Sequence, residues 1–486
     1  MIDDAIMQEM NRYRPYLSSE QFAQLLEESQ LDAPSAIRIN ALKTVDTRSK
    51  LNDLKKKYGW QSQPLPFSET AEQITDWLTY PSQTVEHKLG QFYIQDAASI
   101  LPVSLFQPSS KPLLSLDMAA SPGGKTTQMI DAGKDQNFVI ANDSAASRIP
   151  ALRTVLQTWG TVNYAVTNFP GERWGDWYPE TFDQILLDAP CSMQSLRVSS
   201  SHPHRPITSD ERERLAVRQL AMLTSAARAL KVGGELVYST CTLAPEEDEA
   251  VVSALLKTYP GAFQIDTSPA SRFGAYGLTQ FESQTYDPQV KYSLRIWPFV
   301  FQTNGFFAVK LIKLSPVSED YKIRVNPPQK PADPKKTSQE TRQLIVSYFN
   351  ENYGFSLEDL LEERNLGIYW RGEKIWLMPN SLFMNFPGLS FNLTGISLGQ
   401  FIRQDFEPAS DFFHSFGHLF STGIWTIPTE LMTNWMKGYD IRGIDLPEHK
   451  LGSLVLVTDE NGNNLGAGKY SRDRLRNLLP NRHLVR

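Results

Sequence analysis

The chain has 486 residues, a formal net charge of −6 and only two cysteines. This length allows about three domains, and so few cysteines exclude a disulfide framework or a cysteine-rich zinc site. The start of the chain is acidic, and no apolar run reaches the ~18 residues of a membrane span. We therefore expect a cytoplasmic monomer without a membrane partner.

The N-terminal part of the chain predicts a small module of mixed structure. Residues 1 to about 30 carry an apolar stripe at helical spacing, and Ala36–Asn40 alternates apolar and polar residues as a strand does. A short strand over Gln91–Asp96 then leads into a helix at Ala97. We place the boundary to the next domain at residue 95.

An apolar strand, a glycine turn and a helix follow in the sequence LLSLDMAASPGGKTTQMI, residues 113–130. Gly123 and Gly124 lack a Cβ atom, so a ligand can approach the backbone there, and the helix N-terminus offers N–H groups to an anion. A second strand over Asn137–Ile140 stops just before Asp143, roughly 20 residues past the loop, where doubly wound folds hold ribose hydroxyls. The pattern indicates a small anionic or zwitterionic cofactor, such as a nucleoside without phosphates.

The loop by itself leaves two other interpretations open. Gly124-Lys125-Thr126 matches the end of a phosphate-binding P-loop, although Ala119 stands where that motif needs glycine. The strand end Ile185–Asp188 would then be the magnesium-binding partner of a P-loop ATPase. A structural turn without a ligand is the other possibility, because glycine turns between strand and helix are common.

Strands and helices alternate after the glycine turn, which predicts a mostly parallel sheet covered on both faces. The fold class is therefore α/β, with a Rossmann-like doubly wound domain over residues 96–316. Its predicted elements are Asn137–Ile140, Ala145–Trp159, Tyr164–Thr167, Phe182–Leu187, Asp210–Ala229, Glu235–Ser239 and Pro245–Tyr259. Arg295–Val300 and Gly305–Leu311 are expected to form an antiparallel pair that closes the sheet.

The segment 317–339 is rich in proline and lysine and predicts a linker. Beyond it, a helix over Glu340–Phe349 and short strands with turn signals such as Asn461-Gly462 predict a β-rich module over residues 340–486. The predicted strands are Ile368–Trp370, Ile375–Met378, Leu389–Leu393, Leu454–Thr458 and Leu465–Gly468. Six basic residues between Leu465 and Arg486 are equally compatible with a nucleic-acid surface and with a solvated tail.

The two cysteines fall at equivalent places in the predicted sheet. Cys191 follows one strand through Asp188-Ala189-Pro190, and Cys241 follows another through Ser239-Thr240. Because ligands bind beyond the carboxyl ends of parallel strands, both thiols, Asp188 and the glycine loop should open on one crevice. Buried structural cysteines are the ordinary alternative.

Such a pair of thiols suits methylation at carbon 5 of a cytosine. A thiolate that adds to carbon 6 makes carbon 5 nucleophilic, and so divides one difficult step into two. Asp188 could act as the acid at N3 if its pKa is raised. Lys125 could stabilise the developing oxyanion, or it could be an ordinary exposed lysine at a helix start.

Several motifs together carry a resemblance to a known family. They are FYIQDAAS, DMAASPGGKTTQ, ANDSAASR, LLDAPCS, YSTCTLAPEEDEAV and NGFFAVKL, with weaker similarity in AIRINALKT and LGAGKYSRDRLRNLLP. In this order they resemble the RNA cytosine-C5 methyltransferases that use S-adenosyl-L-methionine, and most closely the bacterial members that modify 16S ribosomal RNA. The similarity covers essentially the whole chain.

The resemblance implies a role for each matching residue. Cys241 of the STC motif would be the nucleophile, Cys191 of the PCS motif would assist product release, and Asp188 and Lys125 would complete the catalytic group. The residues implied for binding S-adenosyl-L-methionine are Ala119, Ala120, Ser121, Pro122, Gly123, Gly124, Lys125, Asp143 and Asp188. No metal is expected: His414 and His418 have helical spacing, but Ser415 replaces the glutamate of H-E-x-x-H, and we interpret the pair as packing.

The resemblance also implies partners and a domain order. Residues 1–95 would be an N-terminal RNA-binding module, residues 96–316 the methyltransferase domain, and residues 340–486 a PUA-like RNA-binding module after the linker. The substrate would be one cytosine of 16S rRNA, free or in the small ribosomal subunit, flipped out of its stack.

Two departures from the family pattern bear on activity. The family usually has Gly-x-Gly and then an arginine after the PCS motif, whereas this chain has Met193-Gln194-Ser195, with Arg197 one place early. Where relatives carry an aspartate that reaches the adenine, this chain has Asn168 and Pro170; proline cannot take that role, but asparagine can. An rRNA-binding assembly factor with weak or no turnover is therefore the alternative function, with a P-loop NTPase as a further one.

Overall fold

The computed structural model describes residues 4–32, 35–197, 207–317, 326–328, 334–442 and 451–485. Much of the predicted linker 317–339 therefore lies outside the described residues. None of the helices within the described ranges has the length and apolar character needed to cross a membrane.

The N-terminal module is a four-stranded antiparallel sheet with one long helix packed on it, while the two helices before the first strand pack on the core of the central domain. Its strands are β1 (Ser35–Ile39), β2 (Gln61–Pro64), β3 (Ala71–Asp76) and β4 (Phe92–Asp96), and its helices are α1 (Asp4–Asn11), α2 (Ser19–Glu28), α3 (Thr47–Tyr58) and α4 (Val85–Lys88). The strand order is β2-β3-β1-β4. The predicted N-terminal helical stretch is thus two helices, because Pro15 falls between them. The predicted boundary at residue 95 falls at the end of β4.

The central domain is a doubly wound sheet, as the alternation predicts. Its strands are β5 (Leu114–Asp117), β6 (Phe138–Asn142), β7 (Tyr164–Thr167), β8 (Phe182–Asp188), β9 (Leu230–Thr240), β10 (Phe263–Ile265), β11 (Gln280–Phe281), β12 (Gln284–Thr285), β13 (Leu294–Ile296) and β14 (Phe306–Lys313). Its helices are α5 (Leu101–Ser104), α6 (Gly124–Ala132), α7 (Ile149–Trp159), α8 (Trp174–Trp177), α9 (Ser209–Ala229), α10 (Glu249–Thr258), α11 (Ser268–Phe273) and α12 (Pro298–Phe301).

The order of this sheet brings the predicted site together. Within the described residues the order is β10-β14-β9-β8-β5-β6-β7, and the five strands from β9 to β7 run parallel. Strand β8 therefore lies between β9 and β5, so the loops that carry both cysteines and the glycine turn leave from adjacent strands. Apolar side chains fill both faces of the sheet, as a parallel sheet between two helical layers requires.

The antiparallel end of the sheet differs in one detail from the prediction. Strand β14 pairs with β9, and β13 pairs with β14, both antiparallel. The predicted strand Arg295–Val300 is wrong beyond Ile296, because Pro298 starts the short helix α12. Proline is favoured at a helix start, where its missing N–H costs nothing.

The C-terminal part contains two five-stranded sheets, and apolar residues of both belong to one hydrophobic cluster. The strands are β15 (Lys335–Lys336), β16 (Leu366–Arg371), β17 (Lys374–Pro379), β18 (Leu393–Thr394), β19 (Ile396–Ile402), β20 (Asp405–Pro408), β21 (Ile424–Thr426), β22 (Ile441–Arg442), β23 (Leu454–Thr458), β24 (Asn464–Ser471) and β25 (Arg474–Asn477). The helices are α13 (Gln339–Tyr353), α14 (Leu357–Glu363), α15 (Asn380–Asn385), α16 (Ser410–Phe416) and α17 (Thr429–Met436). The sheet orders are β15-β16-β17-β19-β20 and β21-β23-β24-β25-β22.

One C-terminal strand belongs to the sheet of the central domain. Strand β18 pairs antiparallel with β7, with Leu393 opposite Val166 and Thr394 opposite Ala165. The predicted strand Leu389–Leu393 is therefore wrong except at its last residue. The two parts of the chain share one continuous sheet across the predicted linker.

Buried polar contacts join all three parts of the chain at the C-terminal end of α7. The Lys43 ammonium donates to the carbonyls of Leu89 (2.7 Å) and Thr158 (2.8 Å) and lies 2.9 Å from Nε2 of His414. The His414 ring stacks on that of His483 with 3.7 Å between centroids. His414 is therefore a packing residue, as predicted.

A second buried contact also links the central and C-terminal parts. Asp135, which is fully buried, accepts hydrogen bonds from Thr161 Oγ1 (2.5 Å) and from the backbone N–H of Asn163 (3.1 Å). Its other oxygen pairs with the Arg364 guanidinium at 2.5 Å. A cation from the C-terminal part thus compensates a carboxylate buried in the central domain.

The basic C-terminal residues are partly neutralised by neighbouring acids. Arg474 pairs with Asp440 at 3.2 Å, Arg482 pairs with Asp411 at 2.5 Å, and Lys469 pairs with Glu407. The clustering of basic residues in sequence therefore overstates the positive charge of this surface.

Candidate functional site

The glycine loop is held in place by the strands on either side of β5. The Met118 N–H donates to the Leu186 carbonyl on β8 at 2.9 Å, and the Ala120 N–H donates to the Asn142 carbonyl on β6 at 2.7 Å. Gly123, at φ +117°, then turns the chain into α6. At that φ a side chain would be strained, so the turn requires glycine.

Gly124 is required for a different reason, which is close packing. A Cβ atom at this residue would lie 2.6 Å from Oε1 of Gln95 and 2.8 Å from the Tyr93 ring. The glycine therefore lets the end of β4 approach the loop closely. Together they enclose a cavity of about 230 Å³.

The cavity wall includes most of the predicted cofactor residues. Those on the wall are Ala119, Ala120, Ser121, Pro122, Gly124, Lys125 and Asp188. The remaining wall comes from Asp117 and, on the N-terminal side, from Tyr93–Asp96 and Ser99. Gly123 shapes the turn without lining the cavity.

Asp117 is a functional candidate that the sequence analysis did not select. It is 1% exposed, and burial raises its pKa to about 7, although the Thr126 hydroxyl donates to Oδ2 at 2.6 Å and opposes this shift. Its Oδ1 has no hydrogen-bond partner within the described residues, and neither has the Gln95 amide. The cavity thus presents unpaired acceptor and donor atoms to a ligand. Asp117 ends an apolar strand just before the glycine turn, and this position is the sequence feature that could have identified it.

Asp143, predicted to bind the ribose, lies behind the loop rather than on the cavity wall. It is 2% exposed, and its carboxylate accepts hydrogen bonds from the backbone N–H groups of Ala145 (2.8 Å) and Ser121 (3.3 Å). Arg148 forms an ion pair with it at 3.2 Å. The Asn168 amide donates to the Asp143 carbonyl at 2.6 Å, so Asn168 braces this loop.

Lys125 and Asp188 form an ion pair at the mouth of the cavity. The Lys125 ammonium donates to Oδ2 of Asp188 at 2.7 Å and to the Ser99 hydroxyl at 2.8 Å. The Ser239 hydroxyl, directly across from Asp188 on β9, donates to Oδ1 at 2.7 Å. Burial alone would lower the pKa of Lys125, but the charge and hydrogen bond of Asp188, together with the charges of Cys241 and Asp117, outweigh it, and the pKa is raised. Lys125 is therefore not an exposed helix-start lysine.

The two thiols meet, as the sheet topology predicts. Both cysteines are free and partly buried, and their sulfur atoms lie 3.1 Å apart. The hydrogen bond with Cys241, followed by burial and by the negative charge of Cys241, raises the pKa of Cys191 well above its ordinary value. These neighbours therefore favour the protonated form of the Cys191 thiol.

The unusual loop after Cys191 is closed by main-chain hydrogen bonds. The Leu243 N–H donates to the Gln194 carbonyl at 3.0 Å, and the Gly305 N–H donates to the Ser195 carbonyl at 2.9 Å. Arg197 is 5% exposed and donates to carbonyls of two other segments, at Glu28 and Gln302, both at 2.9 Å.

Met193 is the residue of this loop that points outward. It is 57% exposed and has φ +58°, in the left-handed region that favours glycine. Here the family usually has glycine, so the backbone keeps the glycine conformation with a methionine in it. The cost of this substitution is about 1 kcal/mol.

Comparison with known proteins agrees with this geometry. The family model described as 16S rRNA methyltransferase RsmB/F matches residues 104–312. The chain is 30% identical to ribosomal RNA small subunit methyltransferase F of Erwinia tasmaniensis, over 99% of this chain and 96% of that protein. It is 32% identical to the protein of the same name in Aeromonas salmonicida, over 93% and 90% of the two chains.

Solved structures support the fold assignment. A methyltransferase homolog from Pyrococcus horikoshii has 30% identity and a TM-score of 0.55, covering 62% of this chain and 93% of that one. The structure of NSun6 from the same organism with SFG has 20% identity and a TM-score of 0.52, covering 63% and 97%. At that identity the second structure shows likeness of fold alone.

Proposed function

Because the chain belongs to the RsmB/F family of 16S rRNA methyltransferases, we propose that it methylates carbon 5 of one cytosine in 16S rRNA. The observation that carries this proposal is the pair of sulfur atoms 3.1 Å apart beside the Lys125–Asp188 ion pair. Membership of this family decides against the P-loop ATPase interpretation of the glycine loop.

The residues around the cavity fit S-adenosyl-L-methionine, the cofactor of this family. The unpaired Oδ1 of Asp117 would accept a hydrogen bond from the ammonium of the methionine part, and the unpaired Gln95 amide offers both a donor and an acceptor. Asp143 would act indirectly, because its carboxylate holds the Ser121 N–H of the loop that lines the cavity. When bound, the cofactor would supply an electrophilic methyl group for carbon 5 of the base, and the residues of the cavity wall would hold it.

The proposed reaction begins with Cys241. Its thiolate adds to carbon 6 of the cytosine, and the displaced electron pair makes carbon 5 nucleophilic while N3 takes up a proton. Asp188 is placed to hold N3, because its carboxylate lies between the Lys125 ammonium and the Ser239 hydroxyl. Lys125 supplies the proton, which passes through the Asp188 carboxylate to N3, so that no negative charge is left on the base.

Cys191 is proposed to act in the second half of the reaction. Once the sulfur of Cys241 is a thioether, its negative charge no longer acts on Cys191, and the Cys191 thiol can release its proton to water. Its thiolate can then accept the proton from carbon 5. The carbon 6–sulfur bond breaks, and Cys241 leaves as a thiolate.

The domain assignments from sequence remain proposals. We propose that residues 1–95 and 340–486 bind the rRNA on either side of the central domain, which would present the cytosine flipped out of its stack. Whether free rRNA or the small ribosomal subunit is the substrate is decided by comparing the two in the assay below.

The test combines methyl transfer with trapping of the RNA adduct. Purified protein is incubated with labelled S-adenosyl-L-methionine and 16S rRNA, or small subunits, from a strain that lacks the gene, and the product is mapped by mass spectrometry. We expect a single 5-methylcytosine. Cys191→Ala should accumulate an RNA–protein complex that survives denaturing electrophoresis, because release fails. Cys241→Ala and the double variant should form none, because addition fails.

Two results would contradict the proposal. Methyl incorporation at an atom other than carbon 5 would refute the chemistry, as would an adduct that persists in Cys241→Ala. RNA binding without any incorporation, under conditions where calorimetry shows S-adenosyl-L-methionine to be bound, would favour the rRNA-binding assembly factor.

A further inference from the structure

Three consecutive carboxylates follow Cys241 and are completely buried. Glu247, Asp248 and Glu249 are each 0% exposed. Burying a carboxylate is costly unless a cation or several hydrogen bonds compensate it. For Asp248 and Glu249 the cation is Arg295, itself fully buried, which pairs with both.

Glu247 forms no ion pair with any residue in the described ranges, so its burial needs another explanation. Its Oε2 accepts two hydrogen bonds, from the Ser192 backbone N–H at 3.0 Å and from the Gln219 amide at 2.9 Å. The same Gln219 amide donates to the Pro190 carbonyl at 2.9 Å. Glu247 and Gln219 together therefore hold the peptide groups on both sides of Cys191.

The chain around Glu247 is in turn fixed to the strand that leads to Cys241. The Tyr238 hydroxyl on β9 donates to the Glu247 carbonyl at 2.6 Å. The hydroxyls of Ser192 and Thr242, the residues that follow the two cysteines, lie 3.0 Å apart. These contacts set the separation of the two sulfur atoms.

The charge of Glu247 also acts on Cys191. The hydrogen bond with Cys241, burial and the charge of Cys241 are the main causes of the raised pKa of Cys191, and the negative charge of Glu247 adds to them. The N–H of Met193 opposes them by donating to the Cys191 sulfur. Burial raises the pKa of Glu247 itself, and Glu246 adds to this, while the hydrogen bonds from Ser192 and Gln219 lower it.

We propose that Glu247 is a positioning residue that fixes the backbone around Cys191 and places a negative charge behind that sulfur, so that Cys241 is the sulfur that adds to the base. This inference rests on the proposed function, since it assigns the order in which the two sulfurs act. Glu247 does so from behind the cysteine loop and touches neither cofactor nor base.

The test measures the ionisation of each thiol in the full-length protein. Glu247→Gln keeps the side-chain shape and an acceptor oxygen for the Ser192 N–H, but removes the charge. Iodoacetamide labelling over a pH series, with the two cysteine peptides separated by mass spectrometry, gives a midpoint for each sulfur. We expect the Cys191 midpoint to move to lower pH in Glu247→Gln, and kcat to fall about tenfold with KM for RNA unchanged.

The matched control is Glu246→Gln. It removes the same charge from the neighbouring residue, whose carboxylate is 30% exposed and pairs with Arg12. This control should leave the Cys191 midpoint where it is in the unsubstituted protein. If Glu247→Gln does not fold, Gln219→Met replaces it, because that change removes the hydrogen bonds to Pro190 and to Glu247 but keeps the Glu247 carboxylate, which the Ser192 N–H still holds. It should lower kcat at an unchanged Cys191 midpoint.

An unchanged Cys191 midpoint and unchanged kcat in Glu247→Gln would overturn the inference while cytosine methylation by the unsubstituted protein stands. Equal shifts in Glu247→Gln and Glu246→Gln would also overturn it, since the effect would then be one of net charge. If the unsubstituted protein does not methylate cytosine, the proposed function fails, and the labelling experiment still reports whether Glu247 controls Cys191.

Discussion

Acid should weaken the junction where the three parts of the chain meet, and His483 should be a main cause. His483 is 0% exposed, and burial together with the charge of Arg482 lowers its pKa from 6.5 to about 3. The hydrogen bond between Nδ1 and the Lys88 carbonyl, 2.8 Å long, opposes this shift but does not reverse it. His414 stacks on it, and Lys43 contacts His414, so a proton on His483 would face positive neighbours.

The sign and size of the effect follow from these values. Below pH 6.5 the unfolded chain binds a proton at His483, whereas the folded chain does not until the pH approaches 3. Unfolding therefore becomes easier as the pH falls through this window. Between about pH 7 and about pH 5 the loss from His483 is about 2 kcal/mol of unfolding free energy. Buried acids such as Asp117, whose pKa is raised, act in the opposite direction, so the total pH dependence does not isolate His483.

The assay is therefore a difference between two proteins. In His483→Asn the side-chain amide can still donate to the Lys88 carbonyl, but it does not titrate. Urea unfolding of both proteins at the two pH values should show the unsubstituted protein losing about 2 kcal/mol more than the variant. Equal losses in the two proteins would refute the reasoning, because His483 would then titrate alike in the folded and unfolded chain.

Three further changes test other contacts. Asp117→Asn should weaken S-adenosyl-L-methionine binding about tenfold in calorimetry, because the unpaired oxygen loses its charge; an unchanged Kd would contradict this. Met193→Gly should be more stable than Met193→Ala by roughly 1 kcal/mol in urea unfolding, since only glycine relieves the left-handed strain; equal stabilities would contradict it. Arg364→Met should cost about 3 kcal/mol of unfolding free energy by leaving buried Asp135 uncompensated, whereas Arg342→Met, at an exposed ion pair, should cost less than about 1 kcal/mol. Equal costs would show that burial of the pair has no effect.

Local sequence patterns predicted most elements of the central domain, and individual elements show why some predictions succeeded and others failed. Tyr164–Thr167 is a strand over those same residues, because four buried residues lie between two polar ones. The segment Arg295–Val300 failed because an apolar run does not distinguish strand from helix, and Pro298 decides for helix. The segment Leu389–Leu393 failed in another way, because only Leu393 lies in a strand. Its partner is Val166, more than two hundred residues away, and no local pattern encodes such a pairing.

The residues of the candidate site likewise include some that local sequence patterns could predict and some that they could not. Cys191, Cys241, Asp188 and Lys125 could be brought together from sequence, because each lies at the carboxyl end of a strand of one parallel sheet or in the segment that follows it. Gln95 could not, because it reaches the cavity from β4 of another module. Its role depends on the close approach that Gly124 allows, and only the folded chain shows this.

The sheet shared by β7 and β18 has a mechanical consequence. An edge strand left bare is prone to pair with other chains, so cutting the protein in its proline-rich segment would expose β7 and favour aggregation instead of releasing an independent enzyme. Strand β18 also fixes the C-terminal region to the central domain. Any partner that the C-terminal region binds would then be held at a fixed distance from the sulfur atoms of Cys191 and Cys241.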